Sequence, residues 1–174
     1  AALADRVRQL RNCGRTTQYD HPVRGFNSRL DTLQAAVLLE KLPHLDAWNA
    51  RRRAAAEGYR QALAGLEEVR LPQASPGTEP VWHQFVIRAR RRDELMQFLK
   101  AQGISTGVHY PKPLHLQTAF AQLGHGPGDF PVSEAASAEA LSLPMFPSLG
   151  AQDVARVASA IRSFYTARQT AGRA

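Results

Sequence analysis

The chain has 174 residues, 44% of them hydrophobic and 21% charged, with a net charge of +7. That length suits one domain, or one domain with an appendage, and no apolar run approaches the length of a membrane span. Cys13 is the only cysteine, so no intrachain disulfide can form, which fits an inert thiol in a reducing cytoplasm.

Residues 1–8 alternate charged with apolar side chains, unlike a signal peptide. The arginines are dispersed, and the densest clusters are Arg51–Arg53 and Arg88 with Arg90–Arg92. The first lies in a helical pattern and the second closes a strand. Neither is interleaved with aromatics as a base-stacking surface would be, so no nucleic-acid partner is expected.

From Ala4 to Leu10 the pattern predicts a short helix that ends near Asn12, Cys13 and Gly14, with Gly14 suited to a C-terminal cap. A polar connector runs from Arg15 to Gly25. A long helical stretch follows, with Leu30, Leu33, Val37 and Leu38 on one stripe, and Pro43 breaks it. Leu45, Trp48, Arg52, Ala55, Tyr59, Leu63 and Leu66 then repeat at helical spacing up to Gly65. Two helices in tandem before any strand read as a spine joining two bodies.

Leu71 to Pro80 reads as a linker. Val81–Arg88 is a predicted strand with Val81, His83, Phe85 and Ile87 on one face. Within it His83 reads as a satisfied core histidine, and Trp48 and Trp82 as packing residues. Asp93–Gln102 is a predicted helix stopped by Gly103, and Ile104–His109 a second strand. Leu141–Pro147 is a short edge strand limited by its prolines. The last helix, Ala151–Arg168, sets Val154, Val157, Ala158, Ile161 and Phe164 or Tyr165 on one face.

Two segments can carry chemistry. Asn27 and Ser28 precede a helix, with Asp31 three residues after Ser28. Ser28 and Asp31 suit a capping box, while an Asn amide and Arg29 at a helix N-terminus suit a phosphate. Composition does not separate the two. The run His109-Tyr110-Pro111-Lys112-Pro113-Leu114-His115 presents polar groups at a strand end, stiffened by prolines. Polar contact to a sugar or diphosphate and plain strand-end packing are both open. The spacing of the two histidines does not suit a metal, and none is expected.

Gly25-Phe26-Asn27-Ser28-Arg29-Leu30-Asp31-Thr32-Leu33-Gln34-Ala35-Ala36 resembles the hallmark of the DegT/DnrJ/EryC1/StrS sugar aminotransferases. Further landmarks follow in that family's order: Leu10-Arg11-Asn12, Trp48-Asn49-Ala50-Arg51-Arg52, His83 to Arg88, Gly103 to Thr106, His109 to His115, Phe130 to Glu134 and Leu141 to Pro147. The Asn-Ser-Arg-Leu-Asp and Trp-Asn-Ala-Arg variants most resemble members that act on keto-deoxysugar nucleotides.

The resemblance implies an α/β protein, the C-terminal part of a fold-type-I pyridoxal-phosphate transferase. Residues 1–43 would end the large domain, 44–70 form a spanning helix and 71–174 the small α/β domain. The enzyme would be a cytoplasmic homodimer that moves an amino group, typically from glutamate, onto a nucleotide-linked keto sugar. By the same resemblance, Asn27 reaches the cofactor phosphate of the other subunit with Arg29 close by, and His109, Tyr110 and His115 border the nucleotide-sugar pocket.

Transamination also needs a lysine amine, and the chain has only Lys41, Lys100 and Lys112. None follows a strand in the small-residue context of the family's lysine. The expected chain is therefore a C-terminal half, inactive alone. A sugar dehydratase of the same family, or an interaction or regulatory module without catalysis, are the alternatives.

Overall fold

The computed structural model describes residues 1–171, with the side chains of 167–171 left aside. It divides into two compact units, Ala1–Leu45 and a second beginning at Asp46.

In the first unit α1 spans Ala2–Arg11, and Asp5 pairs with Arg8 at 2.7 Å along it. The helix stops where Cys13 and Gly14 take left-handed backbone angles, φ 58° and 77°, and the Gly14 N–H donates to the Gln9 carbonyl at 3.0 Å. The polar connector then returns antiparallel to this turn, and Asn12 and Asn27 form a single β-bridge. The crossing is possible only because two glycines meet there. A Cβ on Gly14 would lie 1.8 Å from the Val23 carbonyl oxygen, and one on Gly25 would lie 2.0 Å from the Gly14 nitrogen.

The next helix, α2, spans Thr32–Lys41 and buries none of its residues. It begins three residues later than a Ser28 cap requires. Asp31 is the cap residue, and no side chain caps the helix. The capping-box reading of Ser28 is therefore corrected. Ser28 is bound instead to the end of α1, where its N–H donates to the Arg11 carbonyl at 2.8 Å and its carbonyl accepts from Arg11 Nε at 3.2 Å.

In the second unit α3 (Leu45–Ala62) leads to three antiparallel strands, β1 (Val69–Arg70), β2 (Phe85–Ala89) and β3 (Ala140–Leu143), ordered β1-β2-β3. Helices α4 (Arg92–Ala101), α5 (Pro131–Glu139) and α6 (Ala151–Ala171) complete the mixed α/β architecture. Tyr59, Leu63, Phe85, Ile87, Leu95, Leu99, Leu141 and Ile161 are the largest fully buried side chains. The helix expected to act as a spine thus supplies part of this core. The α6 face is as expected, with Val154, Val157, Ala158, Ile161, Phe164 and Tyr165 all buried.

Three strand expectations change. Residues 81–84 stay outside β2, with Trp82 at φ 50°. The buried face is then Phe85, Ile87 and Ala89, while Val81 and His83 are exposed, so His83 is not a core histidine. Ile104–His109 is not a strand. Only Gly107 reaches β3, through an isolated bridge to Ser142 with N–H···O distances of 3.0 and 2.7 Å, and beyond it Tyr110 turns to φ 59° before a proline. The third strand ends at Leu143, before Pro144, which has no N–H to extend a ladder. Strand β1, helix α5 and the 310 turns at Leu114–Leu116 and Thr118–Leu123 were not read from the sequence.

Candidate functional site

In the first unit the double crossing of Gly14 and Gly25 sets the Asn27 segment beside the end of α1. The Cys13 N–H donates to the Phe26 carbonyl at 2.8 Å and the Phe26 N–H to the Leu10 carbonyl at 2.7 Å. Held there, Asn27 Oδ1 accepts from Arg29 Nε at 3.0 Å, and Arg29 Nη1 lies 3.5 Å from Asn12 Oδ1. Both contacts are to neutral amides, and among the described residues no carboxylate forms an ion pair with Arg29. With its oxygen engaged, the Asn27 carboxamide has its Nδ2 donors to offer. Asn27 and Arg29 are exposed, and together they make a donor-rich, cationic corner on extended backbone rather than a helix N-terminus.

In the second unit His109 sits at the edge of β3. Its Nδ1 lies 2.8 Å from Ser142 Oγ and its Nε2 lies 2.9 Å from Gln84 Nε2. As the amide is placed, Gln84 donates to Nε2, which leaves the ring proton on Nδ1 to be donated to Ser142. These groups, with His83, Ser105 and Thr106, line a cavity of about 240 Å³. Its wall offers hydroxyl, amide and imidazole groups and no carboxylate. A larger cavity of about 460 Å³ lies between α3 and α6, lined mainly by aliphatic groups such as Ala54, Gly58, Val154 and Leu149. Its polar side chains are Arg51 and Ser148, and no imidazole, amide or carboxylate lines it.

Tyr110 is exposed, and its left-handed backbone projects it from the same segment. His115 is placed differently. Its side chain is only 8% exposed, and its Nε2 lies 3.1 Å from Glu134 Oε1. The Phe130 ring packs on it at a centroid distance of 4.8 Å. Both Glu134 oxygens also accept from the Gly128 N–H, at 2.9 and 3.1 Å. Glu134 is held below the ordinary carboxylate range, first by that N–H and then, against some desolvation, by the Phe130 N–H and His115. His115 and Glu134 therefore clip the 111–134 loop, while His109 lines the cavity.

The model of the DegT/DnrJ/EryC1/StrS aminotransferase family matches residues 1–162. The chain belongs to this family. It is 48% identical over 162 residues to a dTDP-3-amino-3,4,6-trideoxy-alpha-D-glucose transaminase of Streptomyces venezuelae, covering 93% of this chain and 43% of that protein. It is 46% identical to the erythromycin biosynthesis sensory transduction protein EryC1 of Saccharopolyspora erythraea, covering 93% and 44%. The fold matches the crystal structure of S. venezuelae DesV in complex with a ketimine intermediate at TM-score 0.89 and 48% identity, over 93% of this chain and 44% of that one. The chain thus spans under half the length of the relatives it matches.

The structure tests how a DegT/DnrJ/EryC1/StrS cofactor would fit these residues. The Asn27 and Arg29 corner fits a phosphate, since its groups are donors and among the described residues no carboxylate pairs with Arg29. The lysines fit no further part of a cofactor site: Lys41, Lys100 and Lys112 are all exposed, two at helix ends and one between prolines. Sequence reasoning missed Gln84, Ser142 and Glu134. Gln84 and Glu134 lay inside recognised motifs with no local signal of their roles. The bond from His109 to Ser142 joins residues 33 apart, a separation that no periodicity reports.

Proposed function

We propose that this chain is the C-terminal part of an aminotransferase that moves an amino group from glutamate to a nucleotide-linked keto-deoxysugar, in a homodimer with pyridoxal phosphate as cofactor. The observation that carries this is the match of fold and sequence along nearly the whole chain to sugar transaminases. In this reading residues 1–43 close the large domain, 44–70 span between domains and 71–174 form the small domain.

Bound pyridoxal phosphate supplies the electron sink for amino-group transfer. What these residues contribute is binding and orientation. Asn27 Nδ2 and the Arg29 guanidinium hold the phosphate of the site in the partner subunit, where a charged acceptor makes each hydrogen bond strong. His109 and Tyr110 meet the nucleotide-linked sugar, whose hydroxyls and diphosphate suit a cavity of donors without carboxylates. His115 serves this site through Glu134, by holding the loop that follows Tyr110.

Titrating the isotope-labelled chain with a nucleotide-linked deoxysugar tests the substrate side. The expected result is amide shifts concentrated at His109, Tyr110 and Ser142, and lost in the His109→Ala variant. Shifts confined to other surfaces would contradict the assignment.

A further inference from the structure

Arg52 is the odd member of the α3 seam, a guanidinium in line with Trp48, Ala55 and Tyr59. It is half-buried, and no carboxylate forms an ion pair with it among the described residues. Its Nη1 donates instead to two backbone carbonyls far apart in sequence, His83 at 3.3 Å and Met145 at 3.2 Å. Two turns along the same face the Tyr59 hydroxyl donates to the Pro144 carbonyl at 3.1 Å.

These carbonyls lie on the two segments that leave the sheet together. Phe85 pairs with Leu143 as the last register pair of β2 and β3, so residues 83–84 and 144–145 continue side by side beyond the ladder. The side chains that grip His109 come from these strand ends, Gln84 from one and Ser142 from the other. Gly107 leaves the room: a Cβ there would come within 3.2 Å of His109 Cε1.

We propose that Arg52 is a positioning residue for His109. By holding the His83 and Met145 carbonyls it fixes the gap across which Gln84 and Ser142 clasp the imidazole, and so keeps one neutral tautomer facing the cavity. A cation suits the task because carbonyl dipoles bind it without a counter-charge, and the two N–H groups of the one Nη1 reach both acceptors. The inference rests on the reading of His109 as a substrate-facing side chain. It has its own test, so the two can fail separately.

The test is long-range proton–nitrogen correlation of the histidine rings in the full 174-residue chain, with His115 as internal control. Wild-type His109 is expected to show two well-separated ring nitrogens with the proton on Nδ1. In Arg52→Met the two resonances should move toward each other as tautomers mix, with His115 unchanged. Arg52→Lys should return the pattern toward wild type. An unchanged His109 in a folded Arg52→Met protein would overturn the proposal, and so would an equal disturbance of His115, which marks general loosening. If the methionine variant does not fold, Arg52→Gln takes its place with the same expectations. A wild-type His109 that already averages its tautomers overturns the proposal without any variant.

Discussion

Glu134 shows how much one side chain can organise. Its carboxylate collects the Gly128 N–H, the Phe130 N–H and His115 Nε2, and so ties the loop after Tyr110 to the start of α5. Because its folded value is lowered, the stability it adds is full above the ordinary glutamate range, about 4.3, and is lost as pH falls through the folded value. Glu134→Gln should therefore lower the thermal midpoint at neutral pH, and the gap to wild type should close as the solution is acidified below that range. Melting curves from pH 7 down to pH 3 check this. A gap that stays constant across the range would show that the charge does not hold the loop.

At the scale of elements, the Gly14 and Gly25 crossing places Asn27. Gly25→Ala would set a methyl against the Gly14 backbone, at a cost on the order of 2 kcal/mol. Hydrogen exchange should then show loss of protection at the Cys13, Phe26 and Ser28 amides, with the β2 and β3 amides unaffected. Helices α1, α3, α4 and α6 were legible in the sequence because their apolar positions repeat at 3.6 residues and glycines mark the ends of two of them, Gly65 and Gly103 at φ 74° and 71°, whereas α5, rich in alanine and serine, carries no such stripe. The strands were less so. A two-residue β1 carries no periodicity, and the alternation over residues 81–88 does not reveal that Trp82 turns the chain out of the sheet. Asn27 and Arg29 stood out as donors, but Ser28 was misread because its partner, Arg11, is distant in sequence. Gln84, Ser142 and Arg52 act through contacts that close only when the sheet forms.

On the scale of the whole chain, two kinds of surface coexist. The second unit closes a core around Tyr59, Phe85, Ile87 and Ile161, whereas in the first unit Leu33, Leu38, Leu39 and Leu42 of α2 and its following turn stay more than half exposed. Asn27 and Arg29 in the first unit and His109 and Tyr110 in the second are exposed, and the one lysine in these segments, Lys112, lies between two prolines. This distribution suits a chain that supplies binding groups to chemistry completed by other residues. The most direct measurement joins this chain to the upstream half found in its relatives and follows amino transfer with pyridoxal phosphate, glutamate and a nucleotide-linked keto sugar. The account predicts an amino sugar formed in step with 2-oxoglutarate, and cofactor binding weakened roughly 10- to 100-fold by Asn27→Ala, as expected for losing a hydrogen bond to a charged phosphate. Dehydrated sugar without amino transfer, or cofactor affinity indifferent to Asn27, would contradict it.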